Sequence, residues 1–135
     1  MRIDPARILS NFAELERLAE AVVVEGVGGF RVPLTERYDT ADLARELGLP
    51  VILVVGLRLG CISHALLTAE AVTARGLRLA GWVANTLDAA MPHLAAKVEA
   101  LAARLPAPLV GQIPRLDRPG AAVAAGFLDL DALWP

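Results

Sequence analysis

Short β-branched and aliphatic runs alternate along this 135-residue chain with longer stretches whose apolar residues recur every three or four positions. That alternation leaves few folds open. From Ala6 to Ala21, the residues Ile8, Leu9, Phe12, Leu15, Leu18 and Ala19 form one helical stripe. Val22, Val23 and Val24 then read as a short strand that stops at Glu25 and runs into a loop with Gly26, Gly28 and Gly29. Asp39 and Thr40 are suited to capping a helix through Leu47, and Gly48 closes it before the strand Val51–Val55. A helix from about Cys61 to Arg75 stopped by Gly76, a strand Leu79–Ala84, a helix from near Pro92 and a strand Leu109–Ile113 continue the pattern. After Pro114 the chain reads as irregular, with a short helix near Leu128 to Leu133. Parallel neighbours cannot be joined by tight hairpins, so helices between strands specify an α/β fold with a parallel sheet flanked by helices.

Composition agrees, with 56% hydrophobic residues and only 4% aromatic ones, the balance of aliphatic helices packed on a buried sheet. A chain of this size buries roughly 70% of its unfolded surface, enough for one domain or a piece of one. Thirteen basic and fifteen acidic side chains give a net charge of −2, which supplies no electrostatic footprint for nucleic acid or an anionic membrane. The longest apolar run, Pro50 to Leu57, falls far short of the roughly 20 residues that span a bilayer. With a single cysteine, Cys61, and no secretory signal pattern, the chain is expected in the cytoplasm.

In open α/β sheets, ligands gather where strands end at their carboxyl side. Four such places carry polar or glycine-rich residues: Glu25 with its glycines, Gly56–Ser63, Asn85 with Thr86, and Gln112–Arg115. Glu25 is either an exposed acid in a tight turn or a magnesium ligand beside a loop that approaches phosphates. Asn85 is either an ordinary turn residue or an amide whose donor and acceptor suit a purine edge. The turn Gly60, Cys61, Ile62, Ser63 opens a helix, where unpaired N–H groups favour an anion. Cys61 reads as a small buried apolar residue, since no base is placed to activate it, and His64 as a first-turn surface residue. His93 has no second ligand at metal spacing.

The strings VEGVGGFRVPL (Val24–Leu34), DTADLARELGLPVILVVGLRLGCISHALLTAEA, LAGWVAN and APLVGQIPRL resemble, in order and spacing, the ATP-dependent dethiobiotin synthases, from about Val22 to Leu116. The resemblance implies a P-loop NTPase-like fold without its N-terminal strands, a homodimer, ATP and magnesium as cofactors, and 7,8-diaminononanoate and carbon dioxide as substrates. It implies that Glu25 is a magnesium ligand and that Glu25, Gly26, Val27 and Gly28 belong to the nucleotide loop. Asn85 with Thr86 would read adenine, flanked by Pro114, Arg115 and Leu116. The start of the helix at Gly60, Cys61, Ile62 and Ser63 would bind the substrate carboxylate across the dimer. Ser63 stands where relatives commonly carry Asn, which leaves the backbone donors in place.

No G-x-x-x-x-G-K-[ST] run occurs in these residues, and the Gly26–Gly29 loop is followed by no Lys-Ser or Lys-Thr. The expectation is therefore the C-terminal part of a single synthase domain, either a truncated product or fragment or, alternatively, half of a split enzyme whose partner chain supplies the phosphate loop. Two further readings stand beside it. One is a non-catalytic dimerisation or binding module. The other is the synthetase part of a cobyrinate or cobyrate amidotransferase, which would need a glutaminase domain.

Overall fold

The computed structural model describes residues 3–133. The chain divides into two compact units, Met1–Leu49 and Pro50–Pro135.

In the first unit, helix α1 (Pro5–Leu18) begins where the Asp4 carboxylate accepts the Ala6 N–H at 3.1 Å and Pro5 occupies the first turn. It ends three residues before the expected Ala21, and the chain is extended from Ala19. Ile8, Leu9 and Phe12 are half-buried, whereas Leu15 and Leu18 of the same stripe stay exposed. The expected strand Val22–Val24 does not form. A strand needs a neighbour to take up its N–H and C=O groups. Among the described residues none runs beside these valines, and Val23 is 92% exposed. Glu25 consequently ends no strand and sits in an open loop.

From Phe30 onward the loop is tied to the start of the next helix by hydrogen bonds. The Thr40 hydroxyl donates to the Phe30 carbonyl at 2.7 Å and accepts the Val32 N–H at 2.9 Å, while Pro33 and Asp39 form an antiparallel bridge. Arg31 pairs with the Asp39 carboxylate at 2.8 Å. Helix α2 (Thr40–Leu47) opens on a reciprocal cap: Asp39 accepts the Asp42 N–H, and Asp42 accepts the Asp39 N–H. Gly48, left-handed at φ 65°, ends it as expected. Tyr38 precedes the cap, its hydroxyl oxygen covered. Burial, reinforced by the nearby Glu46 charge, pushes its phenol above the usual value.

The second unit is a three-stranded parallel sheet in the order β1 (Val51–Leu57), β2 (Leu79–Thr86), β3 (Leu109–Ile113). Helix α3 (Cys61–Ala74) connects β1 to β2 and packs on both, and α4 (Leu94–Ala102) connects β2 to β3. Central β2 is buried along nearly its whole length, with Trp82 fully enclosed. Leu57, Val72, Leu101 and Val110 complete the largest buried side chains. Edge strand β1 instead leaves Ile52 and Val54 on one open face, 46% and 61% exposed.

Two departures from the expected boundaries have local causes. Helix α4 starts at Leu94 rather than Pro92, because Asp88 draws the chain into a turn: its carboxylate accepts the Ala90 N–H at 2.9 Å and its carbonyl accepts the Met91 N–H. His93 then sits left-handed, at φ 61°, before the helix. In the stretch read as irregular, a five-residue helix α5 (Ala121–Ala125) forms without a side-chain cap, and the short helix expected near Leu128 to Leu133 follows as a 3₁₀ turn at Leu130–Leu133. This C-terminal strap docks on β3. Leu128 bridges Gly111, the Asp129 N–H donates to the Val110 carbonyl at 2.7 Å, and Leu133 is buried against Ala80, Val83 and Val110. Only glycine fits at 111, since a Cβ there would lie 2.0 Å from the Phe127 carbonyl oxygen.

Candidate functional site

All three strands of the second unit run the same way and finish level with one another, because Leu57 pairs with Thr86 and Asn85 with Ile113. Their carboxyl ends therefore lie along one edge, where β2 contributes the polar Asn85 and Thr86. Asn85 is half-buried there, and Thr86, the next residue, is buried at 6% exposure. Leaving β3, the chain turns at Pro114, Arg115 and Leu116 beside them. Asn85, Thr86 and Pro114–Leu116 line a hollow of about 250 Å³. Asn85 and Pro114–Leu116, which the resemblance set on two sides of a base, are thus brought together by strand register.

Sequence reasoning did not place Leu87, Asp117 and Pro119, which also line this hollow, nor the second hollow of about 430 Å³ that adjoins it. The second shares Thr86, Pro114 and Arg115 with the first and adds Gln112, Leu94 and Phe127. Successive strand residues face opposite sides of a sheet. Asn85 and Ile113 open into the smaller hollow, Gln112 into the larger one, so the two flank the same sheet edge. Only Gly111, a glycine inside a strand, hinted from the sequence that another backbone packs there.

At the start of α3, Gly60 is left-handed at φ 86°, which turns the chain from β1 into the helix. Of the amides expected to face an anion, that of Cys61 is already used, donating to the Arg58 carbonyl at 3.2 Å. Those of Ile62 and Ser63 find no backbone acceptor among the described residues. Ser63 is exposed and Cys61 is buried, as is the rule for an unactivated thiol. His64 is exposed, as expected.

Glu25 belongs to the first unit, exposed, with no hydrogen bond or ion pair to another described residue. A Cβ on Gly26 would meet nothing within 4 Å, whereas Gly28, at φ 87°, needs its glycine for the turn. Magnesium commonly takes one or two carboxylates and completes its shell with phosphate oxygens and water, so a single unengaged carboxylate fits as one ligand. No group of three or more His, Cys, Asp or Glu residues able to enclose a metal occurs among the described residues.

The family model described as an AAA domain matches residues 1–122. The chain belongs to that family. It is 64% identical over 135 residues to the ATP-dependent dethiobiotin synthetase BioD of Janthinobacterium sp. (strain Marseille), covering 98% of this chain and 57% of that protein. The synthetase of the same name from Aromatoleum aromaticum is 62% identical over 130 residues, 96% of this chain and 58% of its own length. That of Pseudomonas paraeruginosa is 57% identical over 134 residues, 98% and 59%. This member of the AAA domain family is thus a relative of dethiobiotin synthetases, and it spans a little over half the length of those it matches. No helix of the described residues is long and apolar enough to cross a membrane.

Proposed function

We propose that this chain is the C-terminal part of a single ATP-dependent ligase domain that makes dethiobiotin from 7,8-diaminononanoate and carbon dioxide in biotin biosynthesis, using magnesium and working as a homodimer in the cytoplasm. The observation that carries the reading is the meeting of Asn85 and Thr86 with Pro114–Leu116 around one hollow at the sheet's carboxyl edge. In this reading Asn85 holds the edge of adenine through its carbonyl and amide, and Pro114, Arg115 and Leu116 cover the base.

The reaction needs three events. One substrate amine adds to carbon dioxide to give a carbamate, the carbamate oxygen takes the γ-phosphoryl group of ATP, and the second amine attacks the carbonyl carbon. Phosphate leaves, and the ureido ring closes. Little covalent chemistry falls to the protein in phosphoryl transfer, so positioning and charge neutralisation carry it. Bound magnesium would neutralise phosphate charge as it develops. Glu25 would hold that ion, with the open Gly26 to Gly28 loop letting the phosphates come close. The Ile62 and Ser63 amides at the start of α3 would dock the substrate carboxylate for the active site of a second subunit, with Gly60 and Cys61 shaping the turn.

Calorimetry of the 135-residue chain tests the base site. Because these residues hold no phosphate-gripping lysine motif, adenosine and ATP are expected to bind with similar affinity, and Asn85→Ala to abolish both. A strong magnesium-dependent preference for ATP, or unchanged binding by Asn85→Ala, would contradict the assignment.

A further inference from the structure

The two hollows at the sheet edge share Thr86, Pro114 and Arg115, so a ligand lying across that edge touches both. The wall of the larger hollow includes Phe127, brought back to it where the C-terminal strap folds onto β3. Its backbone is held by the strap: Leu128 bridges Gly111, the Asp129 N–H is bonded to Val110, and Leu133 is buried. Phe127 as a whole is 42% exposed, although the strap holds its backbone against β3. An aromatic ring held at the rim of a hollow suits the face of a nucleic-acid base, whichever base it is.

We propose that Phe127 is a specificity-determining residue of the nucleoside site, contacting the part of a purine that overhangs the Asn85 hollow, and that Gly111 is its positioning residue. The inference rests on the assignment of Asn85 as the base-reading amide. A purine has two fused rings and a pyrimidine one. With one ring held at Asn85, a purine carries its second ring further over the shared Thr86, Pro114 and Arg115 surface than a pyrimidine does. The Phe127 ring therefore favours purines over pyrimidines without itself reading a hydrogen-bonding edge.

Adenosine and cytidine binding to the full chain, followed by calorimetry or ligand-detected NMR, tests this. Phe127→Ala is expected to weaken adenosine about tenfold, within the range found for removing one base-stacking aromatic, and to leave cytidine unchanged. The purine preference then collapses while the melting temperature stays near that of the wild type. Phe127→Leu, which keeps apolar bulk without a flat face, is expected to fall between them and serves as the folded variant should the alanine destabilise the strap. Gly111→Ala, which pushes the Phe127 backbone away, is expected to compress the same ratio although the ring is retained. An unchanged adenosine-to-cytidine ratio in the folded Phe127 variants overturns the inference. If Asn85→Ala abolishes adenosine binding while those variants do not alter the ratio, only the role of Phe127 falls. If the wild-type chain binds no adenosine, the base site and this extension fall together.

Discussion

Glu25 is exposed in a loop with no counter-charge bonded to it among the described residues, so its replacement tests chemistry with little interference from folding. Glu25→Gln keeps size and one carbonyl oxygen but removes the charge a hard cation prefers. Stability should move by no more than about 0.5 kcal/mol, as at other exposed positions. With the chain joined to the N-terminal part of a dethiobiotin synthetase, ATP-dependent ring closure should fall, most steeply at low magnesium. Wild-type activity across a magnesium titration would reduce Glu25 to a turn residue. The sequence identified this residue through the glycines after it, yet it also suggested a strand before it that does not exist. Neighbouring glycines are a local signal, whereas a strand depends on a partner that a single run of valines cannot reveal.

At the scale of elements, what the sequence made legible was whatever adjoining residues determine. Asp39 reads as a cap because a carboxylate before Thr-Ala-Asp has nearby amides to accept from, and the reciprocal bond from Asp42 follows. The strands read as Val51–Val55, Leu79–Ala84 and Leu109–Ile113 are legible because short apolar runs between helices have few other places to go, and the first two continue two residues further, to Leu57 and Thr86. The short helix near Leu128 to Leu133 was legible and forms as a 3₁₀ turn at Leu130–Leu133, but helix α5 and the docking of the strap on Gly111 and Val110 were not, since they come from tertiary contacts rather than from caps. Thr40 shows the same limit: it reads as part of a helix start, but its hydroxyl joins Phe30 to Val32 across the preceding loop. Thr40→Val keeps the β-branched shape and removes both bonds. It should therefore destabilise the first unit by about 1–3 kcal/mol, the cost of leaving partly buried polar groups unpaired. Urea denaturation compared with wild type measures it, and a midpoint shift near zero would mean that water replaces the hydroxyl at no cost.

On the scale of the whole molecule, the candidate base site was legible because a parallel sheet brings its strand ends together: Asn85 and Pro114 are far apart in sequence but adjoin once β2 and β3 pair. The same topology leaves a liability. The described sheet has three strands, β1 lies at its edge, and Ile52 and Val54 present branched apolar side chains on an open face of that strand. An unpaired strand edge beside exposed apolar residues is a ready template for another chain. We therefore expect the 135-residue chain to self-associate, with sedimentation or light scattering showing a mass that rises with concentration. Val54→Lys should reduce that association by placing a charge where a partner would desolvate it, and it should leave adenosine binding unaltered, because Val54 lies outside both hollows. The two readouts separate the possible causes. A loss of association with binding intact assigns the contact to the β1 face, whereas a loss of both points to unfolding. A cooperative monomer at every concentration would show that β1 needs no cover.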